Sequence, residues 1–382
     1  MSFQATRMLT PGPTPIPDRV RLAMAAPIPH HRKDAFKQIM AENQVMLKKL
    51  FCTEGPVIPL ACSGTGAMTA SVFNLFAPGE KVLVATAGNF GDRWIDIVKM
   101  HGLDPVVLRW EAGQAIEPAA VRETLDADPA IRGVLMQISE TSTGVLHPVR
   151  DVAAITRERD VLLVADGISA VSISPVAMDE WGIDCLLTGS QKGLMLPPGM
   201  AFVALSPRGW ARAEQNHNDC YYFDLIGERT VCEKNQTHYT SPISLIVGLN
   251  EALKMLFEYG MDKVFKKQWA LTHMARTGIK AMGLELLVKD DSACTWGLTS
   301  IAMPEDMPAS PIIAKAWEDC GVILTAGQGA LKEKVIRLAH MGWVDWADVA
   351  AGLHALAHSL PKKPQGAYLE AALEAYHQAL AE

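Results

Sequence analysis

No stretch of this 382-residue chain runs for 18 apolar residues without interruption, so none has the length of a membrane-crossing helix. The opening MSFQATRMLTPGPTP carries no apolar core of the kind a secretory signal needs. The closing HQALAE is not a Ser-Lys-Leu peroxisomal address, and a cytoplasmic protein is expected. Cysteine is scarce and scattered: seven residues, an odd number, with no CxxC pair and no histidine at ligand spacing. That pattern predicts reduced core thiols, with no disulfide framework and no metal site. There is no lysine-rich block, and a net charge of -7 with a pI near 5.9 argues against nucleic acid or an anionic membrane as partner. Neither GxGxxG nor a Walker loop is present, which counts against dinucleotides and nucleoside triphosphates. Internal repeats and low-complexity segments are also missing. A small soluble ligand is the class that remains.

Apolar residues make up 49% of the chain, and its length exceeds what one hydrophobic core normally serves, so two domains are expected. The sequence is organised around VLLVADGISAVSISPVAMDEWGIDCLLTGSQKGLMLPPG, from Val161 to Gly199. Two apolar runs of strand length end in residues that have no reason to be buried unless they do chemistry. Val161 to Ala165 ends in Asp166, and Cys185 to Thr188 leads into Gly-Ser-Gln-Lys, with the lysine at Lys192. Their separation of 26 residues is about one βαβ crossover. It predicts two parallel strands that deliver an acid and an amine to one rim, where α/β sheets bind ligands. A lysine is ordinarily a solvated charge. Here Gly189, Gly193, Pro197, Pro198 and Gly199 make a constrained loop and give the amine a fixed direction. An Asp and a Lys so placed suit pyridoxal phosphate. The amine forms a Schiff base with the aldehyde, and the buried carboxylate keeps the pyridine nitrogen protonated, so that the ring acts as an electron sink.

VADGISAVSISPVAMDEWGID followed by TGSQKGLMLPPGMAFVALS resembles the fold-type I, class V aminotransferases, in the branch of the alanine–glyoxylate and serine–pyruvate aminotransferases. The likeness covers nearly the whole chain. It implies an α/β fold: a large domain with a mostly parallel central sheet flanked by helices, plus a smaller C-terminal α+β domain. A helix expected from Asn250 to about Met282 has a hinge near Gly260, and short strand and helix patterns follow it, among them LELLV, GLTSIAM and KVIRLAH. The large, cofactor-binding domain is accordingly placed at 15–258, and the small one at 259–382 together with the N-terminal arm 1–14.

Taken in order, LTPGPTPIPDRV is too proline-rich for a helix interior and reads as extended, and the resemblance places its Gly12 beside the substrate. VIPLACSGTGAMTASVFNLF is a strand, a turn of small residues and a helix, which presents free N–H groups to an anion. The same turn would serve any tight connection; the resemblance assigns Ser63, Gly64 and Thr65 to the cofactor phosphate. Phe90 falls where the family stacks an aromatic ring on the pyridine, against the plain alternative of a core residue opening a helix. IRGVLMQISETSTGVLHPV predicts a strand ending at Ser139. The resemblance gives Thr141 the ring hydroxyl and leaves Ser142 and Thr143 to capping or turns. Gln191 is assigned to the ring-hydroxyl side or to the phosphate, with both left open. Thr240, just before Pro242, has the position of a helix cap, whereas the resemblance sends Thr237 and Thr240 across a homodimer interface to the neighbour's cofactor phosphate. In KVIRLAH, strand alternation puts Val335, Arg337 and Ala339 on one face. A charge there must be paired or functional, unless the strand is an exposed edge. Arg337 matches the family arginine that grips the substrate carboxylate.

The favoured function is transamination between alanine or serine and glyoxylate or pyruvate, because Arg337 alone stands out as a carboxylate clamp. His31, Arg32 or a residue from the neighbouring chain is a candidate for a second cation, which would suit aspartate; an aminoethylphosphonate aminotransferase is a related alternative. A lyase or desulfurase would need a loop cysteine in the second domain, where Cys294 is loop-placed and Cys320 reads as buried. A non-enzymatic subunit that kept the fold is disfavoured by Asp166, Lys192 and Arg337 occurring together.

Overall fold

Uninterrupted aliphatic strands have no polar face to give to water and must be covered on both sides. The alternation of side chains then divides each strand between two cores. In the computed structural model, which describes residues 5–216 and 220–381, this division is explicit. Leu163, Ala165, Leu186, Phe202 and Ala204 enter one core. Leu162, Val164, Cys185, Leu187, Ala201 and Val203 enter the opposite one. The sheet has seven strands in the order Val57–Leu60, Ala201–Leu205, Cys185–Gly189, Leu162–Asp166, Ile131–Gln137, Lys81–Thr86 and Asp104–Arg109. Ala201–Leu205 is antiparallel to both its neighbours, and the remaining pairings are parallel. The strands expected to carry Asp166 and Lys192 are adjacent and parallel, as their spacing predicted.

A second sheet of four antiparallel strands has the order Glu285–Leu286, Leu298–Ala302, Val335–Ala339 and Thr325–Ala326. Ile301, Ile336 and Leu338 pack there with Leu271, Met274 and Ile279 of the helix Met261–Ala281 in a core of its own. The strand bearing Arg337 lies inside this sheet, so the exposed-edge alternative does not apply. The N-terminal arm reaches across to it: Arg7–Met8 pairs parallel with Val322–Ile323, and the Ala339 N–H donates to the Leu9 carbonyl at 2.9 Å.

Three local expectations change. The strand from Ile131 stops at Gln137 rather than Ser139, because Ser139–Glu140 turns away to pair with Val145–Leu146. The helix expected from Asn250 begins earlier, at Ile243, while the hinge expected near Gly260 is found there: at this residue, with φ of 94°, the helix breaks into Ile243–Tyr259 and Met261–Ala281. Thr240 does not cap it: Pro242 occupies the cap position, and no side chain caps the helix. No described helix is long and apolar enough to cross a membrane.

The joint between the strand Lys81–Thr86 and the helix Asn89–Met100 has no slack. A Cβ on Gly91 would lie 2.9 Å from the Thr86 Cα and 2.6 Å from its Cβ, and backbone cannot swing aside. Gly91→Ala is expected to cost about 1–3 kcal/mol, as overpacking does. It should lower the urea midpoint at unchanged slope, and an unchanged midpoint would show that the joint gives.

Candidate functional site

The carboxyl ends of the parallel strands converge on a cavity of about 100 Å³. It gathers Ser63, Gly64 and Thr65 after the first strand, Phe90 after the second, Thr141, Asp166, and the Gln191–Lys192 pair. Arg93, Ser139, Ile168 and Ser169 complete the lining. A larger cavity of about 770 Å³ lies between the N-terminal arm, the helix break and Gly342–Asp345. It backs onto Gly193 and Met195 but is lined by neither Asp166 nor Lys192; Arg337 lines neither cavity and lies beside the smaller one, on the Thr141 carbonyl. We therefore take the smaller cavity as the site, because perturbed titratable groups converge there.

Asp166 is the last residue of its strand and is buried. One oxygen accepts from the Ile168 N–H at 2.8 Å and the other from the Gln137 amide at 3.4 Å. Burial pushes its carboxyl up to about 6, and those two donors only partly offset the desolvation. Its charge thus lacks a directly bonded cation. Lys192 is buried and hydrogen-bonds through Nζ to the Pro11 carbonyl. Desolvation brings the amine down to about 8; Asp166 opposes the fall, and Arg337 and Arg93 add to it.

The helix Gly64–Leu75 starts at Ser63 with no side-chain cap. A Cβ on Gly64 would meet the Ile168 side chain at 2.3 Å, so the turn is as close to its neighbour as glycine permits. Phe90 is held by its backbone: its N–H donates to Glu140 at 3.4 Å, and its carbonyl accepts from Gln137 at 2.7 Å. Glu140 is fully buried and also accepts from the Gly91 N–H at 2.9 Å and from the Ser142 N–H and hydroxyl at 3.0 and 2.5 Å. Burial raises its carboxyl above the ordinary range against those bonds. The Ser142 hydroxyl in turn accepts from the Asn89 N–H at 3.0 Å, so the capping expected of this cluster is given to the helix Asn89–Met100. The Thr141 hydroxyl donates to Ser169 at 2.6 Å. The Thr141 carbonyl accepts from Arg337 at 3.1 Å, and the Ala326 carbonyl takes a second Arg337 N–H at 3.0 Å. Burial brings this guanidinium down to about 10, still charged at neutral pH, with Glu140 acting in the opposite sense. No described carboxylate pairs with it directly.

Gly12 sits against Lys192: a Cβ there would fall 2.6 Å from Nζ, though the amine donates its hydrogen bond to the Pro11 carbonyl. The Gln191 Oε1 is buried without a partner. Thr237 and Thr240 do not line their own chain's cavity; the Thr237 hydroxyl donates to the Tyr239 carbonyl at 2.7 Å. Arg32 is engaged elsewhere, donating to Gln236 and to the carbonyls of Thr237 and His238, and His31 stacks on His30 with ring centroids 4.7 Å apart. Cys294 lies in a connection, as expected, and is buried there, and Cys320 is half-exposed rather than buried because it ends the helix Ala309–Cys320. Arg93, Glu140 and Ser169 escaped the sequence reading. For Arg93 a signal existed, since it follows Phe90 by three residues and so shares its helix face.

Residues 23–343 match the family model described as Aminotransferase class-V. A soluble hydrogenase 42 kDa subunit of Anabaena cylindrica is 33% identical over 91% of this chain and 91% of its own length. An L-aspartate–glyoxylate aminotransferase of Paracoccus denitrificans is 34% identical, over 90% of this chain and 88% of its own. A serine–glyoxylate aminotransferase of Methylorubrum extorquens is 35% identical, over 88% and 86% respectively. The structure of ureidoglycine–glyoxylate aminotransferase from Bacillus subtilis superimposes with a TM-score of 0.91 at 26% identity, covering 99% of both chains. The chain belongs to the class V aminotransferases.

The opposed influences on Lys192 give a signed pH dependence. Reaction of the Lys192 amine with an aldehyde requires its free form and is expected to rise as pH passes through about 8. Arg337→Met removes a cation that disfavours the ammonium and should move the midpoint to higher pH. Asp166→Asn removes the anion that favours it and should move the midpoint lower. Stopped-flow absorbance with pyridoxal phosphate as the aldehyde probe reads both shifts; midpoints moving together would show that these charges do not act on Lys192.

Proposed function

We propose that the protein is a pyridoxal-phosphate-dependent aminotransferase that passes the amino group of a small amino acid, alanine or serine, to a small 2-oxo acid, glyoxylate or pyruvate. The observation that carries this reading is one cavity lined by a buried carboxylate without a bonded cation and a buried amine lowered to about 8, with a buried guanidinium that has no carboxylate partner just outside its lining. These are the complements of a protonated ring nitrogen, an aldehyde and a substrate carboxylate. The donor set fits the cofactor: Asp166 is short of a cationic donor, Gln191 has an orphaned buried oxygen, and the Ser63–Thr65 turn leaves a helix start uncapped.

When bound, the cofactor supplies an electron sink for the substrate carbon that loses its proton. The remaining tasks fall to this chain. Asp166 keeps negative charge at the ring nitrogen. Lys192 would hold the cofactor, and its amine, when free, would move the proton as general base and then acid, for which a value near 8 is suited. Arg337 binds the substrate carboxylate through the N–H groups not spent on Thr141 and Ala326, and so orients the carbon toward the amine. Phe90 would cover the ring face, Thr141 would take the ring hydroxyl, Ser63–Thr65 would take the phosphate, and Gln191 would meet the ring-hydroxyl side or the phosphate. Gly12 and Pro11 close the arm over Lys192.

Relatives named for serine and glyoxylate support the choice of substrates, and the relative named for aspartate makes aspartate the strongest competitor. A homodimer with shared sites is part of the proposal: beside the Thr237 segment, Tyr221 and Tyr222 are 76% and 46% exposed, large aromatic surface of the kind a second copy would cover. The desulfurase alternative has weak support, because burial raises the thiols of both Cys294 and Cys320 and withholds the nucleophilic thiolate.

Lys192→Ala should abolish turnover while the fold persists, since its loss opens no core cavity. Near-normal transamination by this variant would overturn the assignment. With wild type, spectral half-reactions are expected to run fastest with alanine or serine as donor and glyoxylate as acceptor. A clear preference for aspartate or aminoethylphosphonate would overturn the substrate choice and leave the chemistry standing.

A further inference from the structure

Arg93 is the one charged group lining the cavity to which the proposed reaction gives no role. It projects from the helix Asn89–Met100, half-buried, with its guanidinium 4.9 Å from the centre of the Phe90 ring and one N–H donated to the Thr65 hydroxyl at 2.9 Å. No described carboxylate lies within ion-pair distance of it. The adjacent Asp92 is already taken by Arg109 at 2.6 Å and by the Thr86 hydroxyl at 2.9 Å. A partly desolvated guanidinium with most of its five donors unspent is matched by an oxyanion.

Its position decides which oxyanion. Arg337 approaches from the second sheet and is anchored to Thr141 and Ala326, whereas Arg93 is anchored to the first turn of the uncapped helix Gly64–Leu75. Helix start and guanidinium together make a site for a dianion rather than for a second carboxylate. The Thr65 hydroxyl sharpens this: it accepts from Arg93, so its own hydrogen is left to donate. We infer that Arg93 binds the phosphate of the cofactor, directly through its free N–H groups and through Thr65, whose hydroxyl it turns toward the same phosphate. The inference rests on the proposed cofactor.

The test removes the phosphate and the arginine separately. Cofactor-free wild type, Arg93→Gln and Arg93→Lys are titrated with pyridoxal phosphate and with pyridoxal, and binding is read by absorbance. Arg93→Gln should weaken pyridoxal phosphate roughly tenfold or more, the size of one charge-assisted hydrogen bond, and leave pyridoxal within about twofold. Arg93→Lys, which keeps the charge without the fork, should fall between and guards against a variant that merely folds poorly. Inorganic phosphate should compete with pyridoxal phosphate in wild type and lose that effect in Arg93→Gln. Equal weakening of both ligands would mean a structural role and overturn the inference. So would unchanged cofactor affinity with a selective loss of aspartate turnover, which would place Arg93 on the donor side chain. If wild type takes up neither ligand, the cofactor reading itself fails; if it takes up both and Arg93→Gln is silent, only this inference does.

Discussion

A carboxylate with no water contact, Glu140, joins the walls of the cavity. An isolated buried charge costs several kcal/mol, which four hydrogen bonds from Phe90, Gly91 and Ser142 offset in part. Those bonds fix the start of the helix carrying Phe90 and Arg93, and the loop whose Thr141 carbonyl holds Arg337. An aromatic face and two guanidiniums are therefore aligned by one side chain that does not line the cavity. Its charge also favours the ionised form of Arg337 and disfavours that of Asp166.

The cavity is built against its own stability. Asp166 is held above, and Lys192 below, the range each would have in water, in both cases chiefly by desolvation. Such groups are strained in their charged forms until an opposite charge arrives, and this strain is what makes them receptive. The fold tolerates it because strands buried on both faces, with side chains divided between two cores, hold the strand ends in place.

The parallel pair bearing Asp166 and Lys192 was legible because packing alone gives an aliphatic strand no reason to end in an acid or an amine, and Arg337 because a charge interrupts an otherwise apolar strand. Arg93 was hidden: on a helix it reads as a solvated charge, and its partner Thr65 is distant in sequence. Pro11 contributes only a carbonyl, which has no side-chain signature. The cap reading of Thr240 failed because a proline at the cap position sets the backbone with no need of a hydroxyl. Cys320 was misplaced because the apolar pattern of its helix was extended to the last residue, where the exposed face begins.

The pairing of Arg7–Met8 with Val322–Ile323 has a consequence in time rather than in space. During synthesis the arm must wait for about 300 further residues before its partner strand exists. Contacts so remote in sequence form late, because the chain between them must first be ordered. The same arm supplies the carbonyl that meets Lys192. The amine therefore acquires its final surroundings only when the ribosome has delivered nearly the whole chain, and the seven-stranded sheet can form and hold Asp166 in place before the site is closed.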